Sequence, residues 1–316
     1  MTRGNSCSRD RVTVLAPFHS LFYAPQFVAM ELGHFAQEGL DVTTQTAGGG
    51  ADLARALLDG PAEIGLGGLM RSLVLADRGG GILVHFAEVN SRNGFFLLSR
   101  EARPRFRWPD LVGKTVISFA EAPTPWQCML TVLRRNGVDP ARVNFVRDLA
   151  TPEAVAAFRA GHGDFLEQGQ PVVEQLLAGG AAHLVASMGE ATGPVPFSSY
   201  MARPELLQQK SDVLVRFTRA LYRAQRWIAA GDAAALARVI APAFPQIDGR
   251  IRARAVERYL KQATWARDPI LRRPGFDYLQ EILLTGGLIK GRHRYEDLVD
   301  TEIARCAVDG LGAQPG

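Results

Sequence analysis

The feature that most constrains the fold is a local pattern that recurs after about one hundred residues. A glycine, an apolar residue and an aspartate follow a predicted helix at 39–41 and again at 137–139, so that Gly39 and Gly137 lie 98 residues apart. A glycine turn before a short apolar strand occurs at 60–63 and again at 161–164, with its glycines 101 residues apart. A period this long is too large for a solenoid and predicts two similar βαβαβ lobes.

Each copy of the pattern alternates short apolar strands with helices. The first copy predicts strands at 12–16, 42–46, 63–66, 82–88 and 94–99 and helices at 25–32, 51–58 and 70–78. The second copy predicts strands at 115–119, 143–146 and 165–167, and helices at 126–135, after an N-cap at Thr151, and after Pro171. A strand at 197–201 returns from the second lobe, and the chain from Pro204 onward is almost purely helical. Two crossovers, near 100 and near 200, therefore leave a cleft between two lobes.

Composition excludes several classes of protein. The 316 residues are 47% hydrophobic and 22% charged, which is typical of a globular chain and not of a disordered one. No apolar run approaches the ~18–20 residues of a membrane span. The net charge is +4, from 36 basic and 32 acidic residues spread along the chain, so no nucleic-acid footprint is indicated. Only four of the basic residues are lysines, and all four lie outside the predicted cleft loops: Lys114, Lys210, Lys261 and Lys290.

The cysteines and the N-terminus bear on location and chemistry. Cys7, Cys128 and Cys306 are odd in number and far apart, so we expect neither a disulfide framework nor a thiolate metal site. Residues 1–11 are polar and lack the apolar region of a secretory signal peptide. Either the chain stays in the cytoplasm, or its natural start differs from Met1.

The loops between strands and helices are the expected ligand site. In open α/β sheets, ligands bind beyond the carboxyl ends of the strands, where helix N-termini present unpaired N–H groups. Those loops lie at 17–24, 47–50, 67–71, 118–126 and 168–171, and each carries glycine, serine, threonine or an aromatic residue.

The sequence in and around these loops resembles a known protein family. The stretch 23–42 resembles the opening signature of the sulfonate/taurine/nitrate/thiamine-pyrimidine (NMT1/THI5-like) group of ABC-transporter substrate-binding proteins. Matching segments follow in order at 48–52, 56–60, 63–67, 111–118, 204–207, 215–221 and 287–289. The resemblance implies a type II periplasmic-binding-protein fold of class α/β, with a mixed sheet flanked by helices in each lobe and a helical C-terminal third. We expect lobe 1 at 12–97 plus 201–310, lobe 2 at 98–200, and flexible tails at 1–11 and 311–316.

The resemblance also implies a function and a set of partners. We expect the solute-binding component of an ABC importer, which closes on a small polar or anionic molecule, sulfonate-like or pyrimidine-like. Its partners are then the small-molecule ligand and the importer's permease and ATPase, with no nucleic acid, no cofactor and no metal. The resemblance implies a periplasmic location, while a cytoplasmic one stays open, and a monomer is expected.

The same resemblance implies which residues of each loop contact the ligand. The first loop places His19, Ser20 and Phe22 at the ligand, and the second places Gly48, Gly49 and Gly50 there. The third contributes Gly68, Leu69, Met70 and Arg71, of which Arg71 could pair with an acid group. The second lobe contributes Ser118, Pro123, Thr124, Trp126, Gln168 and Gln170, and Trp126 could stack on a flat ligand.

Structural roles compete with several of these assignments. The glycines at 48–50 could simply open a helix, Trp126 could be a core residue, and Arg71 could be a solvated helix residue. His19 could be an ordinary loop histidine, and Cys128 a small core residue.

Enzymes of the same fold are the alternative function, as a cytoplasmic enzyme or a ligand sensor. The pyrimidine-synthase family has an essential lysine and histidine that would fall on Gly67 and Arg71, and its cysteine-rich run has no counterpart. The nucleophilic cysteine of the aromatic sulfinate desulfinase would fall near Ser20, where no thiol is present. We therefore expect a binding protein and no catalytic residue.

Overall fold

The structure is a computed structural model, and it describes residues 9–60 and 62–312. Cys7 and most of the two predicted tails lie outside the described residues. The tail boundaries differ from the prediction, because regular structure extends further at both ends. Asp10 begins a strand, pairs with Leu40 in the sheet and binds Arg216 through its carboxylate, 2.7 Å away. At the other end, a helix continues to Gly312.

The described residues form ten strands. In chain order these are β1 (Asp10–Ala16), β2 (Leu40–Thr46), β3 (Ile64–Gly67), β4 (Val84–Asn90), β5 (Phe96–Ser99), β6 (Thr115–Ile117), β7 (Asn144–Val146), β8 (Phe165–Gln168), β9 (His183–Ser187) and β10 (Ser198–Ala202). They make two five-stranded sheets, with the orders β2-β1-β3-β10-β4 and β7-β6-β8-β5-β9.

Both sheets are mixed, because each contains one strand that runs against its neighbours. In the first sheet β10 runs antiparallel to β3 and β4, and in the second β5 runs antiparallel to β8 and β9. The remaining pairs that follow the βαβ pattern, such as β1 with β2 and β6 with β7, are parallel. The predicted α/β class, with two mixed sheets flanked by helices, is confirmed.

The crossovers between the sheets lie a few residues from where we placed the lobe boundaries. The chain leaves the first sheet after Asn90 and enters the second at Phe96, whose partner is Gln168. It leaves the second sheet after Ser187 and returns at Ser198. Residues 96–97, which we assigned to lobe 1, and 198–200, which we assigned to lobe 2, therefore pair with the opposite sheet. The edge strand β9 was not predicted.

Helices cover the faces of both sheets. They are α1 (Ala24–Glu31), α2 (His34–Gln37), α3 (Gly50–Leu58), α4 (Met70–Asp77), α5 (Pro123–Arg135), α6 (Thr151–Arg159), α7 (Val172–Ala178), α8 (Met188–Thr192), α9 (Pro204–Gln209), α10 (Ser211–Ala230), α11 (Ala233–Val239), α12 (Gly249–Lys261), α13 (Arg273–Thr285), α14 (Tyr295–Leu298) and α15 (Glu302–Gly312). Proline occupies the first turn of α1, α5, α6, α9 and α13, where its fixed φ and missing N–H are tolerated. In α6 the N-cap is Ala150, not Thr151, because the Glu153 carboxylate already accepts the Ala150 N–H.

The helical third packs on the first sheet and its helices. On α10, the residues Leu214, Phe217 and Leu221 are fully buried against the first-lobe core. The same helix is held to the chain after α2 by ion pairs from Arg219 and Arg223 to the buried carboxylate of Glu38, at 2.9 and 2.8 Å. No helix in the described part of the chain has the length and apolar character needed to cross a membrane.

Candidate functional site

A cavity of about 290 Å³ lies between the two sheets, at the ends of the strand-to-helix loops. The first sheet contributes the loop after β1 and the turn after β3, and the second contributes the loop after β6 and the turn after β8. The two crossovers, α12 and Thr151 after β7 complete the wall. The lining residues are Pro17, Phe18, His19, Ser20, Phe22, Tyr23, Gly68, Met70, Arg71, Phe95, Phe119, Glu121, Ala122, Thr124, Pro125, Thr151, Gln168, Gly169, Gln170, Val172, Phe197, Ser198 and Tyr259.

Many of the predicted site residues lie around this one cavity, although the loops that carry them are far apart in sequence. They are His19, Ser20, Phe22, Gly68, Met70, Arg71, Thr124, Gln168 and Gln170. Parallel strands bring these loops to one edge of each sheet, so the arrangement follows from the topology. That these residues contact a ligand remains a prediction.

The glycine loop at 48–50 does not line the cavity. Gly49 is the N-cap of α3, and a Cβ on Gly48 would lie 2.6 Å from Asp52 Oδ2. The loop therefore leaves room for an acidic residue at the start of the helix, which the helix dipole favours. The position of these glycines agrees with the structural role considered above, that of a loop at the start of a helix.

Four other predicted site residues also lie outside the cavity wall. Leu69 and Ser118 are fully buried, each next to a residue that does line the cavity. Pro123 opens α5 and lines a neighbouring groove instead. The Trp126 ring packs edge-on against Phe145 at 4.6 Å and lies under the Arg147 guanidinium at 3.9 Å, so its stacking partners come from lobe 2 itself.

Arg71 is the arginine of the cavity wall. It lies in the first turn of α4, and its Nε is buried with no hydrogen-bond partner. No carboxylate of the described residues forms an ion pair with it. Burial lowers the pKa of Arg71, and the phenol of Tyr23 is the group that acts against this shift. A half-buried guanidinium without a counter-ion favours an anionic ligand.

Tyr23 lies beside Arg71 and was missed by the sequence analysis. Burial raises the pKa of its phenol far above the ordinary range, against smaller opposing effects of Arg71 and of a hydrogen bond with Ser198. The phenol is therefore protonated at neutral pH and can donate a hydrogen bond. The available sequence signal was its position in the 17–24 loop, directly after Phe22.

Aromatic rings form most of the apolar wall, and several of them were also missed. Phe119 packs on Phe95 with centroids 4.6 Å apart, and Phe95 lies 6.3 Å from Phe197. Phe22 lies 5.7 Å from Phe197 and 6.0 Å from Tyr259. Tyr259 comes from α12, in the helical third, where no site residue was expected. Its hydroxyl also accepts the Gln170 N–H at 3.2 Å, which fixes the turn after β8.

His19 and Ser20 do not form a nucleophile and base pair. His19 Nε2 lies 2.7 Å from the Ala243 carbonyl oxygen, and its ring packs against Phe27 and Phe244. Ser20 Oγ instead accepts the N–H of Phe22 at 3.2 Å. The described residues contain no group of three or more His, Cys, Asp or Glu side chains that could hold a metal ion.

Buried polar residues lie directly behind the second-lobe wall. Glu167 precedes the cavity residue Gln168 on β8, and burial raises the pKa of its carboxyl to about 8. Burial, followed by the charge of Glu167, raises the pKa of the Cys128 thiol to about 12. Cys128 is therefore a neutral core thiol, in agreement with the structural alternative weighed for it.

A family model and a curated relative match most of the chain. The model described as NMT1/THI5 like matches residues 22–235. YtlA of Bacillus subtilis (strain 168), which carries the provisional name of a binding protein, is 32% identical over 296 residues. The matched region covers 93% of this chain and 89% of YtlA.

Solved structures share the fold at much lower sequence identity. The alkanesulfonate-binding protein SsuA from Xanthomonas axonopodis pv. citri, bound to MOPS, superposes with a TM-score of 0.71 at 19% identity, covering 93% of this chain and 98% of SsuA. The desulfurization enzyme DszB superposes with a TM-score of 0.67 at 17% identity, covering 96% of this chain and 100% of DszB. At these identities the likeness establishes the two-lobed fold, which both a binding protein and an enzyme use.

Proposed function

Since the chain belongs to the NMT1/THI5-like family, we propose that it is the solute-binding component of an ABC importer and closes its two lobes on a small organic anion. The observation that carries this proposal is the cavity between the sheets, with Arg71 on one side and Gln168 and Gln170 on the other. A ligand that contacts both lobes stabilises the closed arrangement over an open one, whereas a ligand that contacts one lobe shifts nothing.

The sequence-predicted residues that line the cavity, together with Tyr23, are the proposed ligand contacts. Arg71 and the phenol of Tyr23 supply charge and a hydrogen-bond donor from lobe 1, and Thr124 and Gln170 supply polar groups from lobe 2. The alkanesulfonate-binding activity in the name of SsuA supports an anionic ligand at this place in the fold. The partners are then a permease and an ATPase, the location extracytoplasmic and the protein monomeric.

Identification of a ligand tests the proposal directly. The purified protein is denatured, and the small molecules that it releases are identified by mass spectrometry. Thermal-shift measurements with alkanesulfonates, aryl acids and pyrimidines follow, because a ligand that binds only the folded state raises its Tm. The absence of any bound or stabilising ligand across these classes would contradict a binding protein.

Arg71→Met tests whether the ligand binds in this cavity. We expect the variant to keep its own Tm within about 2 °C of the parent, since Arg71 makes no ion pair, and to lose most of the ligand-induced rise. Arg55→Met is the matched control, because Arg55 lines the neighbouring groove and not the cavity. An equal ligand response in Arg71→Met and the parent would place the ligand elsewhere.

An enzyme of the same fold is the second candidate, and the likeness to DszB is the observation that favours testing it. Against it, His19 and Ser20 point to different partners, and no cysteine of the described residues lines the cavity. Incubation of the protein with any ligand it binds, followed by chromatography, separates the two functions. Recovery of the ligand unchanged supports binding, and conversion to a product supports catalysis.

A further inference from the structure

We propose that the ligand is an aromatic ring that carries a single acid group, such as an aryl carboxylate, sulfonate or sulfinate. This inference rests on the proposed function, because it names the class of molecule that the same cavity would take. Three observations carry it: the free hydrogen-bonding groups of the wall, the continuity of its aromatic rings, and the balance between its charged groups.

The fully buried side-chain atoms of the wall that lack a hydrogen-bond partner are donors, and they come from both lobes. Arg71 Nε in the first lobe and Gln170 Nε2 in the second are both buried without a hydrogen-bond partner. Gln170 is held in place by its other amide atom, since its Oε1 accepts the Glu174 N–H at 3.3 Å. Among the described lining residues, no side-chain acceptor is buried without a partner. A ligand that brings acceptors, as an acid group does, would satisfy these two buried donors, whereas an ammonium group would leave both without a partner.

The aromatic rings form one connected surface that runs from lobe 2 to lobe 1. The contacts pass from Phe119 to Phe95 at 4.6 Å, and from Phe95 to Phe197 at 6.3 Å. They continue from Phe197 to Phe22 at 5.7 Å and on to Tyr259 at 6.0 Å. These spacings are within the range at which aromatic rings attract one another in edge and offset geometries. A flat aromatic ligand can extend this surface and contact both lobes at once.

The charges limit the ligand to one acid group. Arg71 is the basic side chain of the lining set that carries a permanent charge, and His19 is turned toward the Ala243 carbonyl. The only lining carboxylate among the described residues, Glu121, lies at the exposed rim, where it accepts the Thr151 N–H at 2.9 Å. A second anionic group would therefore find no second cation and would approach a carboxylate.

A matched set of probes separates the ring from the charge. The probes are benzoate, benzenesulfonate, cyclohexanecarboxylate, ethanesulfonate and benzyl alcohol, titrated by calorimetry into the full chain. We expect benzenesulfonate to bind at least about tenfold more tightly than ethanesulfonate, which buries no ring. Benzoate should bind about threefold to tenfold more tightly than its saturated analogue, since ring-on-ring contact adds to simple burial.

Two variants assign those preferences to residues. Arg71→Met should weaken benzoate at least about tenfold and leave benzyl alcohol within about twofold, because only the acid group uses the charge. Phe119→Leu should reduce the preference for benzoate over cyclohexanecarboxylate. Arg55→Met, on the neighbouring groove, should change none of these ratios. Circular dichroism and the Tm of each ligand-free variant check that the fold is retained.

The outcomes distinguish the class of ligand from the binding function itself. If ethanesulfonate binds as tightly as benzenesulfonate, the aromatic class is wrong and the binding function stands. If cyclohexanecarboxylate matches benzoate in the parent, the ring surface does not select aromatic ligands, which also overturns the inference. If every probe fails and the purified protein releases no small molecule, the proposed function itself is wrong.

Discussion

Glu167 illustrates how one buried residue can contribute to the pH dependence of stability. Its side chain is fully buried behind the second-lobe cavity wall, and burial raises the pKa of its carboxyl from 4.5 to about 8. The nearby amide of Phe119 offsets part of this shift. The folded state therefore binds a proton between pH 4.5 and about 8 that the unfolded chain releases. Its contribution to stability is complete below pH 4.5 and is lost as the pH rises through about 8.

Glu167→Gln should remove this pH dependence, because the amide resembles the protonated acid and cannot ionise. We expect the variant to be more stable than the parent at pH 9, by of order 3–5 kcal/mol, and similar to it at pH 5. Urea unfolding at the two pH values measures the difference. Glu88, whose pKa is also raised to about 8, chiefly by burial, will leave a residual slope. The exposed Glu205→Gln is the control, and equal pH profiles for Glu167→Gln and the parent would contradict the prediction.

At the scale of elements, the two crossovers contact each other through a glycine. A Cβ on Gly189, in α8, would lie 2.5 Å from the Asn93 carbonyl oxygen and 2.6 Å from Gln262 Cδ. Arg92 also donates to the Gly189 carbonyl oxygen at 3.2 Å. If the lobes close on a ligand as proposed, both crossovers must bend, and this contact couples the two bends.

Gly189→Ala should separate the two crossovers, because a backbone carbonyl cannot yield as a flexible side chain can. We expect a loss of about 1–3 kcal/mol in the free energy of unfolding, measured in urea. Gly249→Ala is the matched control, since its Cβ would meet only Arg252 Nη2, at 3.9 Å. If the two alanine variants unfold at the same urea concentration, the crossovers are not tightly packed at Gly189.

Local elements could be predicted from the sequence, and long-range pairing could not. Glycine and proline punctuation predicted helices close to α1, α3 and α4, because these residues act through their own backbone angles. Which sheet β5 and β10 join depends on partner strands about 70 to 130 residues away in the sequence. A local sequence pattern does not predict such pairing. For the same reason the site prediction included Arg71, in the first turn of the helix that follows β3, but not Tyr259, which lines the cavity through the packing of α12.

At the scale of the whole molecule, each sheet is completed by a strand from beyond the simple repeat. β5 lies between β8 and β9, with Phe96 paired to Gln168 on one side and to Ser187 on the other. Leu97 on the same strand is fully buried in the second-lobe core, which Met188 also joins. The second lobe therefore depends on β5 for both its hydrogen bonding and its core.

A pair of fragments of equal length tests this dependence. The fragment 94–192 holds all five strands of the second sheet, whereas 100–198 has lost β5 and leaves β9 without a partner strand. We expect 94–192 to show mixed α/β circular dichroism and a cooperative urea transition, because the core cluster that contains Leu97 and Met188 lies wholly within it. We expect 100–198 to unfold without cooperativity, since an unpaired edge strand and a missing core leucine remove both sources of stability. Cooperative unfolding of both fragments would show that β5 is dispensable, and would move the lobe boundary back toward residue 98.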